Sequence, residues 1–407
     1  MTETEETIKK VTAIHNEAID DLITDSDARD ALKAEIGTFI QRFRDFCTAI
    51  SILGEISPRA SDAIGGMGEQ MSVRILAAYM SQIGMPAQAV DATELIVTDS
   101  NFTNATPLIA ETNAQTCQKL QPIISSGVTP VVTGFIAATA DGVTTTLGRG
   151  GSDYSGAIIG RALNAKEVWI WTDVDGVMTT DPRLVDNART ISELTYREVS
   201  ELAYYGAKVL HPRTMRPVTQ ENIPLRIKNT FNPDHPGTVI LQERDIADGS
   251  IMAVTSIKDL VLMTIEGRGM LGVPGVAARA FKSVANTAAS VLMITQSSSE
   301  QSICFSIPAA MRETVKEALE TEFAPELSMR DIDRIWSLTD VSIVTAVGAG
   351  MAGAPGVAGR MFTALGESEI NIMAIAQGSS ECSISVIVET KDAAKALQAV
   401  HTLIVSQ

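Results

Sequence analysis

Positive charge is the first thing this sequence lacks. Lys and Arg total 32 against 49 Asp and Glu, a formal net charge of -17. Nucleic-acid binding needs a basic surface that displaces counterions from phosphates, and this balance speaks against it. An acidic exterior chiefly favours solubility. Any site for anions must therefore be made positive locally, so clustered Arg and Lys are more informative than their total. Cysteine is sparse as well: Cys47, Cys117, Cys304 and Cys382 are scattered with no C-x-x-C pair, as expected of buried reduced thiols and not of disulfides or metal ligands. His15, His211, His235 and His401 show no ligand spacing, so no protein metal site and no catalytic histidine are assigned. No apolar run approaches the roughly 18 residues of a spanning helix, and the opening M-T-E-T-E-E-T-I-K-K does not read as a signal peptide. The expectation is a cytoplasmic enzyme or sensor with no membrane and no nucleic-acid partner.

What is present points to several domains. At 407 residues the chain exceeds the size at which one hydrophobic core keeps growing. Its 45% hydrophobic and 20% charged residues are those of an ordinary globular protein. Texture changes between about Glu243 and Ile251, where Q-E-R-D-I-A-D-G-S at 242–250 reads as a linker. Beyond it lies an internal repeat. G-R-G-M-L-G-V-P-G-V-A-A-R-A-F at 267–281 matches G-A-G-M-A-G-A-P-G-V-A-G-R-M-F at 348–362, and Q-S-S-S-E-Q-S-I at 296–303 matches Q-G-S-S-E-C-S-I at 377–384. Both blocks recur 81 residues later (267 to 348, 296 to 377), which marks a duplicated folding unit. Each copy reads as a strand, a Gly/Pro loop, a helix opening at Pro274-Gly275 or Pro355-Gly356, a strand ending in glutamine, an S-S-E turn, a strand and a helix. The βαββα order predicts a small sheet with helices on one face. Little chain follows the last helix of the second copy, so 251–257, ahead of the first copy, is expected to lend a strand to the second.

In the N-terminal part, residues 4–50 carry apolar positions at helical spacing, among them Ile8, Val11, Ile14, Ile36, Phe39, Ile40 and Phe43. G-G-M-G-E-Q-M-S-V-R at 65–74 is a glycine-rich turn leading into an amphipathic helix with Leu76, Met80 and Ile83 on its apolar side. P-V-V-T-G-F-I at 130–136 and V-W-I-W at 168–171 read as short buried strands. Alternating strands and helices predict an α/β unit with a largely parallel sheet and ligands at the carboxyl ends of strands. The turn G-R-G-G-S-D at 148–153 combines three glycines, which let backbone N–H groups approach a phosphate, with the start of an apolar helix whose terminus favours anions. Arg149 can hold a carboxylate bidentately and Ser152 can donate to it, although glycines of this kind also make plain tight turns. Thr172 and Asp173 follow a strand directly, where a nucleotide would lie, and T-T-D-P-R at 179–183 is either part of that site or a turn closed by Asp181. Lys208, beside a glycine in an apolar stretch, is a phosphate candidate.

G-R-G-G-S-D-Y-S, W-T-D-V-D-G-V-x-T-T-D-P-R, E-L-A-Y-Y-G-A-K-V-L-H-P-R-T and the duplicated V-P-G-V-A unit together resemble aspartate kinase, and the likeness covers nearly the whole chain. It implies an α/β fold: an amino-acid-kinase-like open, largely parallel sheet sandwiched by helices over residues 1–245, then two ferredoxin-like βαββαβ ACT domains over 251–335 and 336–407. It implies transfer of the γ-phosphoryl of ATP to the side-chain carboxylate of L-aspartate, with Mg²⁺ bridging the phosphates, and a homo-oligomer formed through the ACT domains. By the same likeness Glu69 takes the substrate amino group and Arg149 its α-carboxylate, with Ser152 close by. Asp153 acts through hydrogen bonding and charge placement, while Thr172, Asp173, Met178, Arg183, Lys208 and Val209 line the nucleotide. Arg149, Asp153 and Lys208 are the catalytic set. Gln296, Gln377 and Asn371 stand where an amino-acid effector binds, and a glutamine in each copy favours threonine over lysine.

Two departures accompany the likeness. A strand ending K-F-G-G, whose lysine contacts the phosphates, and a second ending V-V-S-A-M open members of the family, and neither motif occurs in this sequence. The first strands are thus expected to be missing, and the alternative is a catalytically weak or inactive truncated form that serves as a regulatory amino-acid-binding subunit. Met178 stands where relatives often place a tyrosine. Kinases of this fold acting on glutamate, carbamate or UMP are disfavoured because they lack the paired ACT unit.

Overall fold

Apolar residues at helical spacing and well-formed caps make the first elements. In the computed structural model, which describes residues 2–207, 210–296 and 301–405, α1 (Thr2–Leu22) and α2 (Ser26–Leu53) are long helices. Asp25 caps α2 by accepting the Ala28 N–H, and Gly54 ends it in the left-handed region. Ser57 caps α3 (Pro58–Gly65), whose first residue is proline, and α4 (Met67–Gln82) follows. Met71 and Ile75 of α4 join Ile8, Ile19 and Ile36 in one apolar cluster. The expected face of α4 is corrected here: Leu76 and Ile83 are exposed, while Met71, Val73, Ile75 and Ala77 are buried. A 3.6-residue period admits two overlapping stripes in so apolar a helix, and packing against α2 selects one.

The chain forms two units, residues 1–171 with 210–226, and residues 172–209 with 227–407. In the first, β1 (Ala87–Val90), β2 (Val97–Thr98), α5 (Ile109–Ser125), β3 (Thr129–Val132), β4 (Ile136–Thr139), β5 (Thr144–Thr146) and α6 (Gly151–Ala162) alternate as an α/β unit. β1 pairs with β3 and β2 with β4 in parallel, and β4 pairs with β5 antiparallel. The segment at 130–136 is two strands, because Phe135 takes a positive φ of 66° and turns the chain between β3 and β4. β6 (Val168–Thr172) buries Val168 and Ile170 and leaves Trp169 and Trp171 about half exposed, the alternation of a strand covered on one side. Next in sequence are β7 (Glu193–Thr195), α7 (Tyr196–Tyr204), α8 (Pro212–Gln220), β8 (Leu225–Asn229) and β9 (Thr238–Leu241), with β7 and β9 parallel.

The duplicated segment forms one antiparallel sheet in the second unit. Its elements are β10 (Ala253–Glu266), α9 (Val276–Asn286), β11 (Met293–Gln296), β12 (Ser302–Pro308), α10 (Arg312–Glu322), α11 (Ala324–Met329), β13 (Arg334–Val347), α12 (Val357–Glu367), β14 (Ala374–Gln377), β15 (Ser383–Glu389) and α13 (Ala393–Val405), with strand order β11-β12-β10-β13-β15-β14. β10 and β13 are long because each serves both copies. Residues 260–266 of β10 pair with β12 of the first copy, whereas residues 253–257 pair with residues 343–347 of β13, which themselves pair with β15 of the second. A register shift separates the two halves, and Asp259 and Asp340, equivalent positions in the copies, turn there with φ of 59° and 57°. One sheet face carries the helices over two clusters, around Phe305 and Phe323 in the first copy and around Val344 and Val400 in the second. The other face holds Leu260, Leu262, Ile343 and Ile387 with Met293 of β11 and Ala374 of β14. No helix of the described residues is long and apolar enough to cross a membrane.

Residues 177–191 are built into the second copy. Val185 lies in its core, the Thr179 carbonyl accepts the Val254 N–H at 2.8 Å, and the Thr179 hydroxyl meets the His401 Nε2 at 2.8 Å with both side chains buried. Burial, then the charge of Arg189, push the imidazole of His401 below its ordinary 6.5. A folded-state value below the unfolded one means that the unfolded chain binds the extra proton first, so stability contributed here is lost as pH falls below about 6.5. Urea titrations between pH 7.5 and 5 should show the wild type losing more stability on acidification than His401→Gln. Thr179→Val, which keeps shape and removes the hydroxyl, should cost about 1–3 kcal/mol at pH 7.

Candidate functional site

In the first unit two helix N-termini face a single turn. After β5 the chain passes Leu147 into Gly148 and Gly150, both with positive φ (74° and 69°), and Gly150 caps α6 with no side chain over its first N–H groups. Space is as restrictive as conformation. A Cβ on Gly148 would stand 2.8 Å from the Asn104 Oδ1, one on Gly151 2.7 Å from the Phe135 ring, and one on Gly134 3.0 Å from the Ser152 side chain. The Ser155 hydroxyl accepts the Phe135 N–H at 3.0 Å and donates to the Gly151 carbonyl at 2.9 Å, locking that turn to α6. On its other side the start of α4 is pressed onto β4, since a Cβ on Gly66 would come within 2.5 Å of Ile136. Glu69 in the first turn of α4 and Arg149, Ser152 and Asp153 at α6 are therefore carried by segments packed around residues 133–136.

The charges there are left open. Arg149 and Ser152 are exposed and Glu69 half-buried, and none of the three side chains has a hydrogen-bond or ion-pair partner among the described residues. A free guanidinium, a free carboxylate and helix N–H groups suit the carboxylate and ammonium of an amino acid. Asp153 is half-buried, and burial pushes its carboxyl above the usual 3.8.

Two residues with no sequence signal brace this turn. Arg213 of α8 donates to Asn104 Oδ1 and to the carbonyls of Leu147 (3.3 Å) and Ala105 (2.6 Å), with its guanidinium 5.0 Å from the Tyr154 ring centre. Asp62 of α3, 1% exposed, accepts the N–H groups of Thr103 (2.8 Å) and Thr146 (3.1 Å) and the Thr146 hydroxyl (2.7 Å). Both hold the backbone at residues 103–105 and at 146–147, directly ahead of the turn.

The residues expected at the nucleotide belong to the second unit. Thr172 ends β6, its carbonyl accepting the Thr230 N–H at 2.9 Å and its hydroxyl donating to Asp173 at 3.1 Å. Asp173 is exposed. The Asp175 carboxylate accepts from Asn229 (2.8 Å) and Asn232 (3.1 Å), and the Asn229 bond above all keeps its carboxyl below the usual range. Gly176 is required, because its φ is 122° and a Cβ would lie 2.4 Å from the Thr238 hydroxyl. Met178 bridges to Thr190. Arg183 is turned onto Asp181, with Nε at 3.0 Å and Nη2 at 2.7 Å, so the local turn is what its charge serves in this structure. With the Arg183 side chain 79% exposed, that pair is weak. Lys208 and Val209 lie outside the described residues.

In the duplicated sheet Gln296 ends β11 and lines a cavity of about 380 Å³ with the Gly/Pro loop at 272–275, Met270 and Ile303. Gln377 ends β14 at the matching place and Asn371 precedes that strand, both exposed.

Residues 4–229, more than half of the chain, match the model of the amino acid kinase family. The chain belongs to the amino acid kinase family. Residues 263–323 and 344–403 match the ACT domain, one in each copy of the repeat. The chain is 39% identical over 396 residues to the chloroplastic bifunctional aspartokinase/homoserine dehydrogenase 2 of Zea mays, covering 95% of this chain and 42% of that protein. It thus spans about two fifths of the length of such curated relatives. Among solved structures it resembles E. coli aspartokinase III in complex with lysine and aspartate (TM-score 0.81, 28% identity, 99% of this chain and 87% of that one). It also resembles the same enzyme with aspartate and ADP (TM-score 0.77, 28% identity, 99% and 88%).

Because three donors depend on one buried carboxylate, Asp62→Ala should cost about 2–4 kcal/mol in urea unfolding. Asp62→Asn, which retains one accepting oxygen, should cost less.

Proposed function

We propose that this chain carries an aspartate kinase, moving the γ-phosphoryl of ATP to the side-chain carboxylate of L-aspartate to give 4-phospho-L-aspartate and ADP. The observation that carries the reading is the unpaired Arg149 on a glycine turn at a helix N-terminus, with an unpaired Glu69 on the neighbouring helix start. Arg149 takes the α-carboxylate and Glu69 the ammonium of the amino acid, while Ser152 donates beside them. The likeness to an aspartokinase solved with aspartate and ADP supports the choice of substrates.

Phosphoryl transfer asks a protein for position and charge more than for covalent chemistry. The side-chain carboxylate is already ionised at neutral pH and attacks phosphorus without a base; the bond from the γ-phosphorus to the bridging oxygen breaks and ADP leaves. Asp153, with its raised carboxyl, contributes a hydrogen bond and places charge beside the acceptor. Thr172, Asp173, Met178, Arg183, Lys208 and Val209 serve the nucleotide, with Arg183 leaving Asp181 to do so. Mg²⁺ enters with the phosphates: among the described residues no group of three His, Cys, Asp or Glu stands ready to hold a cation. When bound with the nucleotide, Mg²⁺ would offset the charge of the phosphates.

The same reading gives the duplicated unit a regulatory role. Gln296 and its cavity, with Gln377 and Asn371 in the second copy, take an amino-acid effector, and the homo-oligomer forms through these domains. A glutamine closing the equivalent strand in both copies supports threonine over lysine, the amino acid present in one of the similar structures.

Arg149→Ala should raise the KM for aspartate and lower kcat/KM by about a hundredfold or more, the loss of a desolvated charge-assisted pair; unchanged kinetics would refute the role of Arg149. Turnover absent from the wild type, with amino-acid binding retained, would favour a purely regulatory chain. In inhibition assays Gln296→Ala should abolish feedback by threonine while sparing the uninhibited rate, and lysine inhibition in the wild type without threonine inhibition would overturn the effector assignment.

A further inference from the structure

Among the described residues the most exposed large apolar side chain is that of Phe231, at 83%. A single apolar residue in water is ordinary on a protein surface. The way this one is mounted is not. Thr172 ends β6 and Asn229 ends β8, and the Thr230 N–H donates to the Thr172 carbonyl at 2.9 Å, so Phe231 stands one residue beyond the tie between two strand ends. The Asn229 Oδ1 accepts the Phe231 N–H at 2.9 Å. The amide nitrogens of Asn229 and Asn232 both donate to Asp175 Oδ1, at 2.8 and 3.1 Å. Behind the ring the Asn232 N–H donates to the Asn229 carbonyl (3.3 Å) and the His235 N–H to the Asn232 carbonyl (3.1 Å). The loop ends at Gly237, with φ of 74°, where a Cβ would stand 1.9 Å from the Ile227 carbonyl oxygen.

These bonds fix a loop at the carboxyl ends of two strands, the place where sheets of α/β proteins gather ligands. Fixing it costs conformational entropy, and burial of the phenyl ring returns almost none of that cost while the ring stays in water. With both amide nitrogens turned onto Asp175, the loop offers a flat apolar face at its tip. Such a face matches the π-face of a nucleobase. Thr172, to which the loop is tied, and Asp173 beside it are the residues expected at the nucleotide.

We propose that Phe231 is the platform for the base of the nucleotide, stacking on the adenine ring of ATP, and that Asp175 is the positioning residue that holds the platform through Asn229 and Asn232. The proposal rests on the kinase reading above and adds to it a contact with the base, which charged groups serving the phosphates do not supply. Asp175 touches no substrate in this scheme. Its carboxylate acts on the loop alone, and the loop keeps the ring where the base arrives.

The test is a series at position 231 on the full chain, read by ADP titration calorimetry and steady-state kinetics. Phe231→Ala should raise the ADP dissociation constant and the KM for ATP by about tenfold, the worth of one stacked base. Phe231→Leu, apolar but without a ring, should fall between, and Phe231→Trp should match or tighten the wild type. The KM for aspartate and the melting temperature should hold, since the side chain is exposed. Asp175→Ala should weaken ADP by about threefold, and adding it to Phe231→Ala should cost no more than Phe231→Ala alone, because the loop then has no ring to hold. Unchanged ADP affinity in Phe231→Ala, or an order that does not follow the ring, overturns the platform and leaves the kinase reading standing. A changed sedimentation coefficient with ADP affinity intact does the same, by making the ring a contact with another protein chain. A wild type with neither ADP binding nor turnover overturns the kinase reading and this inference together, before any variant is made.

Discussion

The exchange of partners halfway along β10 and β13 is the constraint on which the second unit depends. Neither copy of the repeat completes a four-stranded sheet from its own strands: residues 253–257 edge the second copy, and residues 334–338 edge the first. An open edge of backbone N–H and C=O groups invites pairing, and each copy closes that of the other. The crossing point needs a sharp change of direction in both strands, which Asp259 and Asp340 supply in the left-handed region that Asp tolerates better than most residues. Once the strands are exchanged, the linker ahead of β10 is drawn to the Gly348 loop, where a Cβ on Gly348 or Gly350 would collide with Ser250 or Ala247. The repeat therefore folds as one object although the sequence shows two.

That arrangement explains why pieces of the kinase-family segment are embedded in the sheet. Val185 and Thr179 lie 222 residues or fewer from their partners in α13, with Thr179 bonded to His401. α7 is held in the same unit by Glu198 at the Ala349 N–H, by Glu201 at the Ser383 hydroxyl and by Tyr204 at the Leu292 carbonyl. The residues expected at the nucleotide are thus continuous with helices and turns fastened to the duplicated sheet, and a change there has a short covalent path to them. Such coupling counts as regulation only when a ligand prefers one of two arrangements.

The first unit works under a different constraint, close approach of backbone. Gly66, Gly134, Gly148 and Gly151 each admit a neighbour that a methyl group would displace. The result is a turn whose amides and guanidinium are presented without a hydrogen-bonded partner among the described residues, inside a molecule that carries -17 overall. Local positive potential in such a protein has to be built from geometry: a helix terminus and one unpaired arginine on a glycine turn.

Much of this was legible beforehand. Periodicity marked α1 and α2, glycine density marked residues 148–153, and a repeat at constant offset marked the two copies, because all three record local conformational freedom or local burial. Other features were invisible. Leu76 and Ile83 looked inward and face solvent, residues 130–136 looked like one strand and are a strand, a turn and a strand, and Asp62, Arg213, Glu201 and His401 gave no sign of their partners. Composition and spacing determine which elements form and where a chain can bend. Which donor meets Asp62, or which turn receives Glu201, is decided only when segments far apart in sequence close on one another, since a buried polar group is stabilised by whatever tertiary packing brings within about 3 Å of it.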